Sequence, residues 1–158
     1  LLNGGVSAGK KDLTPQVLSQ HGVEQVFHKI GLKPGKPLWF GKRDNTIVFG
    51  LPGNPVSVLT CFEIFVRTAL RARQGHPSPR PETFLARLAS DFVYRTRRLT
   101  YHPARIQPDE QGWRVEPVRW LGSSDMRSLS AANAFLVCPT EKSDHAAGDL
   151  MRVLPFQG

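Results

Sequence analysis

A proline-rich segment in the middle of the chain sets the strongest limit on how this sequence can fold. Residues 75–81 read Gly-His-Pro-Ser-Pro-Arg-Pro, with three prolines in five residues. Proline lacks a backbone N–H and has a fixed φ, so this stretch cannot form a helix and favours an extended connection. With 158 residues, the chain has room for one ordinary domain or two very small ones. The sequence therefore predicts two units, 1–75 and 83–158, joined by a linker at 76–82.

Composition excludes several classes of protein. Hydrophobic residues make up 40% of the chain and charged residues 22%, a balance too apolar for intrinsic disorder. No run of about 18 apolar residues is present, so the sequence predicts no membrane span. Cys61 and Cys138 lie far apart among apolar neighbours. They indicate two reduced core thiols in a cytoplasmic protein and argue against a zinc site.

The first unit carries the alternating helix and strand patterns of an α/β domain. The predicted elements are a short helix near 14–21, strands at 23–30, 37–42 and 46–49, and a long helix at 55–73. So few elements cannot cover both faces of a parallel sheet. We therefore expect the chain to be a C-terminal piece of a longer protein, cut inside an α/β domain.

The second unit has short apolar runs separated by proline, glycine, aspartate and serine, which is the pattern of a small sheet or barrel. Strands are predicted at 84–89, 99–107, 113–118, 135–138 and 150–154, with one helical turn at 128–133. The predicted architecture is an α/β unit followed by a small β-rich, barrel-like unit.

The first of two glycine-rich loops, residues 4–11, reads Gly-Gly-Val-Ser-Ala-Gly-Lys-Lys. Glycines let successive backbone N–H groups point inward, and Ser7 adds a hydroxyl, so the loop is a candidate anion site. The spacing nearly matches a nucleotide-binding P-loop, but Lys11 stands where that motif needs Ser or Thr to hold magnesium. This argues against a nucleoside triphosphatase, and a plain strand-to-helix turn is the remaining alternative.

Asp12 follows this loop directly. A carboxylate beside a phosphate-binding loop can hold magnesium or orient water. The same residue, or Thr14, can instead cap the short helix that has Pro15 in its first turn. Spacing alone favours the capping role.

Two further segments of the first unit suit an anion. Lys33 and Lys36 stand in Lys-Pro-Gly-Lys-Pro, where proline stiffens the backbone that carries both ammonium groups. The second glycine loop, 50–57, runs into the long helix with Asn54 as its cap and Pro55 at its first position, so an anion can bind at that helix N-terminus. The first unit also carries +6 of the net charge of +8. Solvated lysines and simple helix capping are the alternatives.

The second unit adds fewer candidates. Arg95, Arg97 and Arg98 cluster before a predicted strand, and Ser128 lies shortly before Ala-Ala-Asn. Arginine suits oxyanions because its fork donates two parallel hydrogen bonds, although such a cluster is often a solvated strand end. The five histidines lack metal spacing and no Gly-x-Ser-x-Gly elbow exists. The sequence therefore predicts no hydrolase triad.

Taken in this order and spacing, the motifs resemble the MoeA family of molybdopterin molybdenumtransferases, which includes the E domain of gephyrin. The resemblance extends over nearly all of the chain. The segments that carry it are 4–12, 33–37, 50–57, 98–102, 128–134 and 147–149.

The resemblance implies a fold and an activity. Residues 1–75 would be the C-terminal half of a MogA-like, three-layer molybdopterin-binding domain, and 83–158 a β-rich C-terminal domain. The family inserts molybdate into the dithiolene of adenylylated molybdopterin, releasing AMP in the presence of Mg²⁺. The implied protein is a cytoplasmic homodimer whose partners are these small molecules, with no membrane or nucleic acid.

The resemblance also implies roles for individual residues. Asp12 would serve at the magnesium and pyrophosphate site. Molybdate would be held by Lys33, Lys36, Arg98 and Ser128. The pterin phosphate would be cradled by Gly4, Gly5, Val6, Ser7, Gly9, Gly53, Asn54, Pro55 and Ser57.

Two other functions are weighed against this one. A non-catalytic phosphate- or pterin-binding module, or a scaffold, can use the same fold, and nucleic-acid binding is disfavoured because few aromatics accompany the lysines. Pro103 stands where the family often has a second arginine, and Ala131 where many members have serine. Because relatives complete the site with parts that this chain lacks, we expect the isolated chain to bind phosphate or pterin weakly and to catalyse no turnover.

Overall fold

The computed structural model describes residues 1–7 and 12–156, and its first half is built on a four-stranded sheet. The strand order is β1 (Leu2–Asn3), β5 (Thr46–Leu51), β4 (Trp39–Arg43) and β2 (Glu24–His28). β1 and β5 are parallel, whereas β5–β4 and β4–β2 are antiparallel. Because parallel strands end at the same edge of a sheet, the two glycine loops that follow β1 and β5 leave side by side.

One long helix packs on this sheet. It consists of α2 (Pro55–Cys61), a π-helical turn (Phe62–Val66) and α3 (Arg67–Arg73). The sequence predicts the helix and its ends but not the π-helical turn, where the buried Glu63 forms a 2.8 Å ion pair with Arg67. The core between helix and sheet contains Leu38, Phe49, Leu51, Cys61 and Val66.

The short helix α1 (Thr14–Gln20) forms as predicted, but its predicted cap is wrong. Leu13 occupies the N-cap position and makes no side-chain capping bond. Thr14 instead contacts the first glycine loop: its N–H donates to the carbonyl of Gly5 at 3.1 Å, and its hydroxyl donates to the carbonyl of Gly4 at 3.4 Å. Helix α1 thus begins by binding the backbone of that loop.

The second half forms a closed five-stranded barrel, in agreement with the prediction of a small β-rich unit. The barrel strands are β6 (Phe84–Leu88), β8 (Leu99–Asp109), β9 (Gly112–Pro117), β10 (Ala134–Cys138) and β12 (Leu150–Pro155). Around the barrel, β10 pairs with β12, β12 with β6, β6 with β9, β9 with β8, and β8 again with β10. Only the β6–β9 pair is parallel among these five pairings of the described chain.

Smaller elements surround the barrel. β7 (Phe92–Val93) pairs with β11 (Asp144–His145). Helix α4 (Met126–Ala131) lies close to the helical turn predicted at 128–133. Within residues 1–7 and 12–156, no helix is long and apolar enough to cross a membrane.

One strand of the first half joins the barrel. β3 (Leu32–Lys33) pairs in parallel with β8, with Leu32 opposite Leu99 and Lys33 opposite Thr100. The sequence does not predict this strand, because two residues carry no periodic signal. Its pairing fixes the Lys-Pro-Gly-Lys-Pro segment against the second unit.

Candidate functional site

A cavity of about 410 Å³ lies where the two units meet, at the edge of the sheet from which both glycine loops emerge. Its volume is in the range of small-molecule binding sites. The predicted residues that line it are Gly4, Gly5, Val6, Ser7, Asp12, Lys33, Lys36, Gly53, Asn54, Ser57 and Arg98.

The pairing of β3 with β8 brings two of the cationic residues together. Lys33 stands opposite Thr100, and Arg98 lies directly before the first residue of that adjacent strand. Arg98 Nη1 donates a 3.1 Å hydrogen bond to the carbonyl of Leu32, 66 positions away in the sequence. This bond holds the guanidinium beside the backbone of Lys33 and leaves its other N–H groups to face a ligand.

The segment between Lys33 and Lys36 packs against the long helix. Gly35 is buried and has φ +122°, a conformation that side chains disfavour. A Cβ atom at this position would lie 2.7 Å from Cys61 Sγ and 3.2 Å from Leu32 Cδ2. Glycine is therefore required here by both backbone conformation and close packing.

The first glycine loop is bound to its surroundings through its backbone. The N–H of Gly4 donates to the carbonyl of Leu51 at 2.9 Å. His28 Nε2 lies 2.7 Å from the carbonyl of Val6, and because a carbonyl can only accept, Nε2 carries the hydrogen. These bonds fix the described part of the loop, residues 4–7, at the mouth of the cavity.

The second glycine loop is hydrogen-bonded to Ser123 of the other unit. Asn54 Nδ2 donates to Ser123 Oγ at 2.8 Å, and the N–H of Val56 donates to the carbonyl of Ser123 at 3.1 Å. Asn54 occupies the N-cap position of α2, but its side chain makes no capping bond. Part of the helix N-terminus is therefore already satisfied by Ser123, so an anion has fewer free donors there than the sequence analysis assumed.

The charges that line the cavity favour an anion. Lys33, Lys36 and Arg98 are opposed by the carboxylate of Asp12, a net charge of +2 from the described lining residues. No ion pair joins any of these three cations to a carboxylate within the part of the chain that the structure describes. Their charge is therefore available to an oxyanion ligand.

Two other predicted site residues that the structure describes, Ser128 and Pro55, do not line the cavity. Ser128 has 1% exposure, and its hydroxyl donates to the carbonyl of Asp125 at 2.7 Å, which leaves it inside the first turn of α4. Burial and this internal bond argue against direct contact between Ser128 and molybdate. Pro55 is outside the lining set, and Gly9 lies outside the described residues.

Three residues that line the cavity lie outside every motif identified in the sequence: Trp120, Gly122 and Ser123. They precede Asp125, which caps α4 by accepting hydrogen bonds from the N–H groups of Arg127 and Ser128. The run Gly-Ser-Ser-Asp before a short helix was the available signal for an ordered loop. Nothing in the run itself indicates that it packs against α2.

Behind the cavity, His102 is buried in an aromatic cluster. Its ring packs edge-on against Phe92, Tyr94 and Trp120, each at 5.2 Å between centroids. Burial lowers the pKa of His102 from 6.5 to about 4, the carbonyl of Pro103 acts in the opposite direction, and the charge of Lys33 lowers it further. His102 is therefore neutral at neutral pH.

The protonation of His102 is expected to make the free energy of unfolding depend on pH. Because the folded-state pKa of about 4 lies below the ordinary value, the unfolded chain binds more protons between these two values. The contribution is complete above about pH 6.5 and is lost as the pH falls toward 4. The total loss is on the order of 3 kcal/mol. Urea unfolding at pH 7 and pH 4.5 measures it.

The matched variants are His102→Gln and His21→Gln, the second at an exposed position. We expect H102Q to flatten the pH dependence of the free energy of unfolding and H21Q to leave it unchanged. An equally steep dependence in wild type and H102Q would show that another group controls it.

The two cysteines behave as predicted for core thiols. Cys61 and Cys138 are free and buried. Burial raises the pKa of each thiol to about 12. Both are therefore protonated and unreactive at neutral pH.

Comparison with known proteins identifies both units. Residues 1–72 match the family described as probable molybdopterin binding domain, and residues 85–156 match the MoeA C-terminal region, domain IV. The chain is 35% identical to a molybdopterin molybdenumtransferase of Haemophilus influenzae, over 99% of this chain and 39% of that protein. It is 30% identical to one of Synechocystis, over 94% and 36%. The chain thus spans about two fifths of the length of these relatives.

Solved structures agree with these matches. A molybdopterin biosynthesis MoeA protein from Pyrococcus horikoshii superposes with a TM-score of 0.76 and 28% identity, over 93% of this chain and 35% of that one. A molybdenum cofactor biosynthesis protein from Pyrococcus furiosus gives a TM-score of 0.67 and 26% identity, over 92% and 54%. With both units matched in sequence and in fold, the chain belongs to the MoeA family.

Proposed function

We propose that this chain supplies the molybdate- and pterin-phosphate-binding part of a molybdopterin molybdenumtransferase, which inserts molybdate into adenylylated molybdopterin and releases AMP. The observation that carries the proposal is the convergence of Lys33, Lys36 and Arg98 on one cavity with both glycine loops. The relatives are named as transferases, which favours an enzyme over a scaffold.

The chemistry of the substrates matches the lining of the cavity. Molybdate is a tetrahedral dianion, so it needs several fixed cationic donors, and we assign Lys33, Lys36 and Arg98 to its oxygens. The backbone N–H groups of residues 5–7 and the side chain of Ser57 are assigned to the pterin phosphate. Transfer at a phosphoanhydride depends mainly on positioning and charge neutralisation, which cations and backbone donors provide without a nucleophilic side chain.

Magnesium fits the residues only in combination with the substrate. Asp12 is the one carboxylate among the described lining residues, and no group of three or more His, Cys, Asp or Glu side chains within the described chain would hold a metal. Magnesium is commonly bound through one or two carboxylates, substrate phosphates and water. We therefore assign Asp12 as the protein ligand of a Mg²⁺ ion that would neutralise phosphate charge.

Three further features are part of the proposal. We assign residues 1–75 to the molybdopterin-binding domain, 76–82 to a linker and 83–158 to the C-terminal domain, in line with the two family matches. We also propose that the enzyme works in the cytoplasm as a homodimer. Gel filtration with light scattering tests the dimer.

The direct test is AMP release by the complete protein, supplied with adenylylated molybdopterin, molybdate and Mg²⁺. Asp12→Asn and Lys36→Met are each expected to lower the rate at least about 100-fold, since loss of one preorganised group costs about 2.7–4 kcal/mol of transition-state stabilisation. Each variant removes one charge from the cavity and preserves the size of the side chain, so the loss of rate measures the contribution of that charge.

Lys42→Met is the control for loss of a lysine charge. Lys42 forms an exposed ion pair with Glu24 at 3.4 Å and does not line the cavity. Its variant is expected to retain the wild-type rate. Wild-type rates in both D12N and K36M would refute the proposed function.

A further inference from the structure

The ammonium group of Lys33 lies against two aromatic rings. Lys33 Nζ is 4.9 Å from the centroid of the Tyr94 ring and 5.8 Å from that of Trp120. Both distances are within the range of cation–π attraction. Lys33 forms no ion pair with a carboxylate among the residues in the described ranges, so these rings are the groups that hold its charged end.

The two rings are themselves held in place. Tyr94 and Trp120 stack at 6.3 Å with an interplanar angle of 23°, and His102 packs edge-on against both. Trp120 Nε1 donates to the carbonyl of Gly122 at 2.5 Å. The N–H of Tyr94 donates to the carbonyl of Ser143 at 2.9 Å. The aromatic faces therefore form a fixed support rather than a mobile surface.

An aromatic support differs from a carboxylate partner in one respect that matters for anion binding. A carboxylate neutralises an ammonium group and competes with an incoming oxyanion for it. An aromatic face attracts the cation through its quadrupole and carries no formal charge. The neutral state of His102 has the same effect, because a charged imidazolium behind the rings would repel Lys33.

We infer that Tyr94 and Trp120 are positioning residues that hold Lys33 at the cavity with its full charge available to molybdate. The inference rests on the proposed function, since it names how one residue of that site is oriented. Neither ring is assigned a contact with the reacting atoms. The two residues come from the second unit, so the barrel would orient a lysine of the first.

The test compares Tyr94→Leu with Tyr94→Phe in the full chain, using sodium molybdate as the probe in calorimetric titrations. Leucine removes the aromatic face, whereas phenylalanine keeps it. We expect Y94L to weaken molybdate binding about 3- to 10-fold and Y94F to stay within about twofold of wild type. Trp120→Leu is expected to behave like Y94L.

A second measurement needs no molybdate, and its main observation is made on the wild-type chain. An ammonium arm lying on aromatic faces experiences ring currents, so the ε-methylene resonance of Lys33 should lie upfield of the other lysines in a ¹H–¹³C spectrum of the wild-type chain. Lys33→Arg assigns the resonance by its disappearance. Y94L should return it to the ordinary position.

The outcomes of these measurements distinguish failure of the proposed function from failure of the inference about the two rings. An upfield Lys33 resonance without detectable molybdate binding would overturn the proposed function and, with it, the role of the rings in that site. Molybdate binding with an ordinary Lys33 resonance would overturn the inference alone. Equal loss of affinity in Y94F and Y94L would also overturn it, because a purely structural role of Tyr94 would not distinguish them by their aromatic face.

Discussion

Replacing Lys33 with methionine is expected to weaken binding of molybdate to the chain by about 10- to 100-fold. Lys33 is one of three cations that line the cavity, and a hydrogen bond to a charged group contributes about 1.5–3 kcal/mol. Methionine preserves most of the side-chain volume, so the effect isolates the charge. Isothermal titration with molybdate at fixed ionic strength measures the change.

Lys29→Met is the matched control for this prediction. Lys29 is exposed and lies four residues earlier, outside the cavity lining. The substitution K29M removes the same formal charge as K33M from nearly the same part of the chain. Equal weakening by K29M and K33M would mean that molybdate responds to the overall positive field and not to a defined site.

Replacing Gly35 with alanine is expected to destabilise the chain by about 2–6 kcal/mol and to abolish measurable molybdate binding. The positive φ of +122° is strained for alanine, at about 1–3 kcal/mol. The new Cβ would also lie 2.7 Å from Cys61 Sγ, and overpacking of a filled core costs about 1–3 kcal/mol. Urea unfolding followed by circular dichroism gives the free energy change.

Two variants separate the causes of this effect. Gly31→Ala serves as the control, because a Cβ atom there meets nothing within 4 Å. Adding Cys61→Ala to Gly35→Ala removes the Sγ contact but keeps the backbone strain, so the double variant is expected to lose less than the two single losses combined. Strict additivity would show that the contact with Cys61 does not contribute.

Local sequence signals were sufficient for the residues that line the cavity from the first unit. The glycine loops and the Lys-Pro-Gly-Lys-Pro segment are defined by glycine and proline, whose backbone preferences act within a few residues. The long helix was predicted with its ends because Pro55 and Gly75 mark them. The π-helical turn at Phe62–Val66 was missed, because the apolar residues recur at spacings of three and four through it.

Contacts between the units could not be predicted in the same way. The pairing of β3 with β8 and the bonds from Ser123 to the start of α2 join residues more than 60 positions apart. They depend on how the two units pack and not on local propensity. Ser128 is a different case, because its hydroxyl is held by a local bond to the carbonyl of Asp125, three residues earlier, although its residue type suits an oxyanion.

The most direct test of the whole account is to locate molybdate by anomalous scattering in crystals of the chain soaked with sodium molybdate, with data collected at the molybdenum absorption edge. The proposed function predicts the strongest anomalous peak inside the cavity, within hydrogen-bonding distance of Lys33, Lys36 and Arg98. A cavity without a peak at a molybdate concentration that saturates binding in solution, or a strongest peak on another surface, would contradict it.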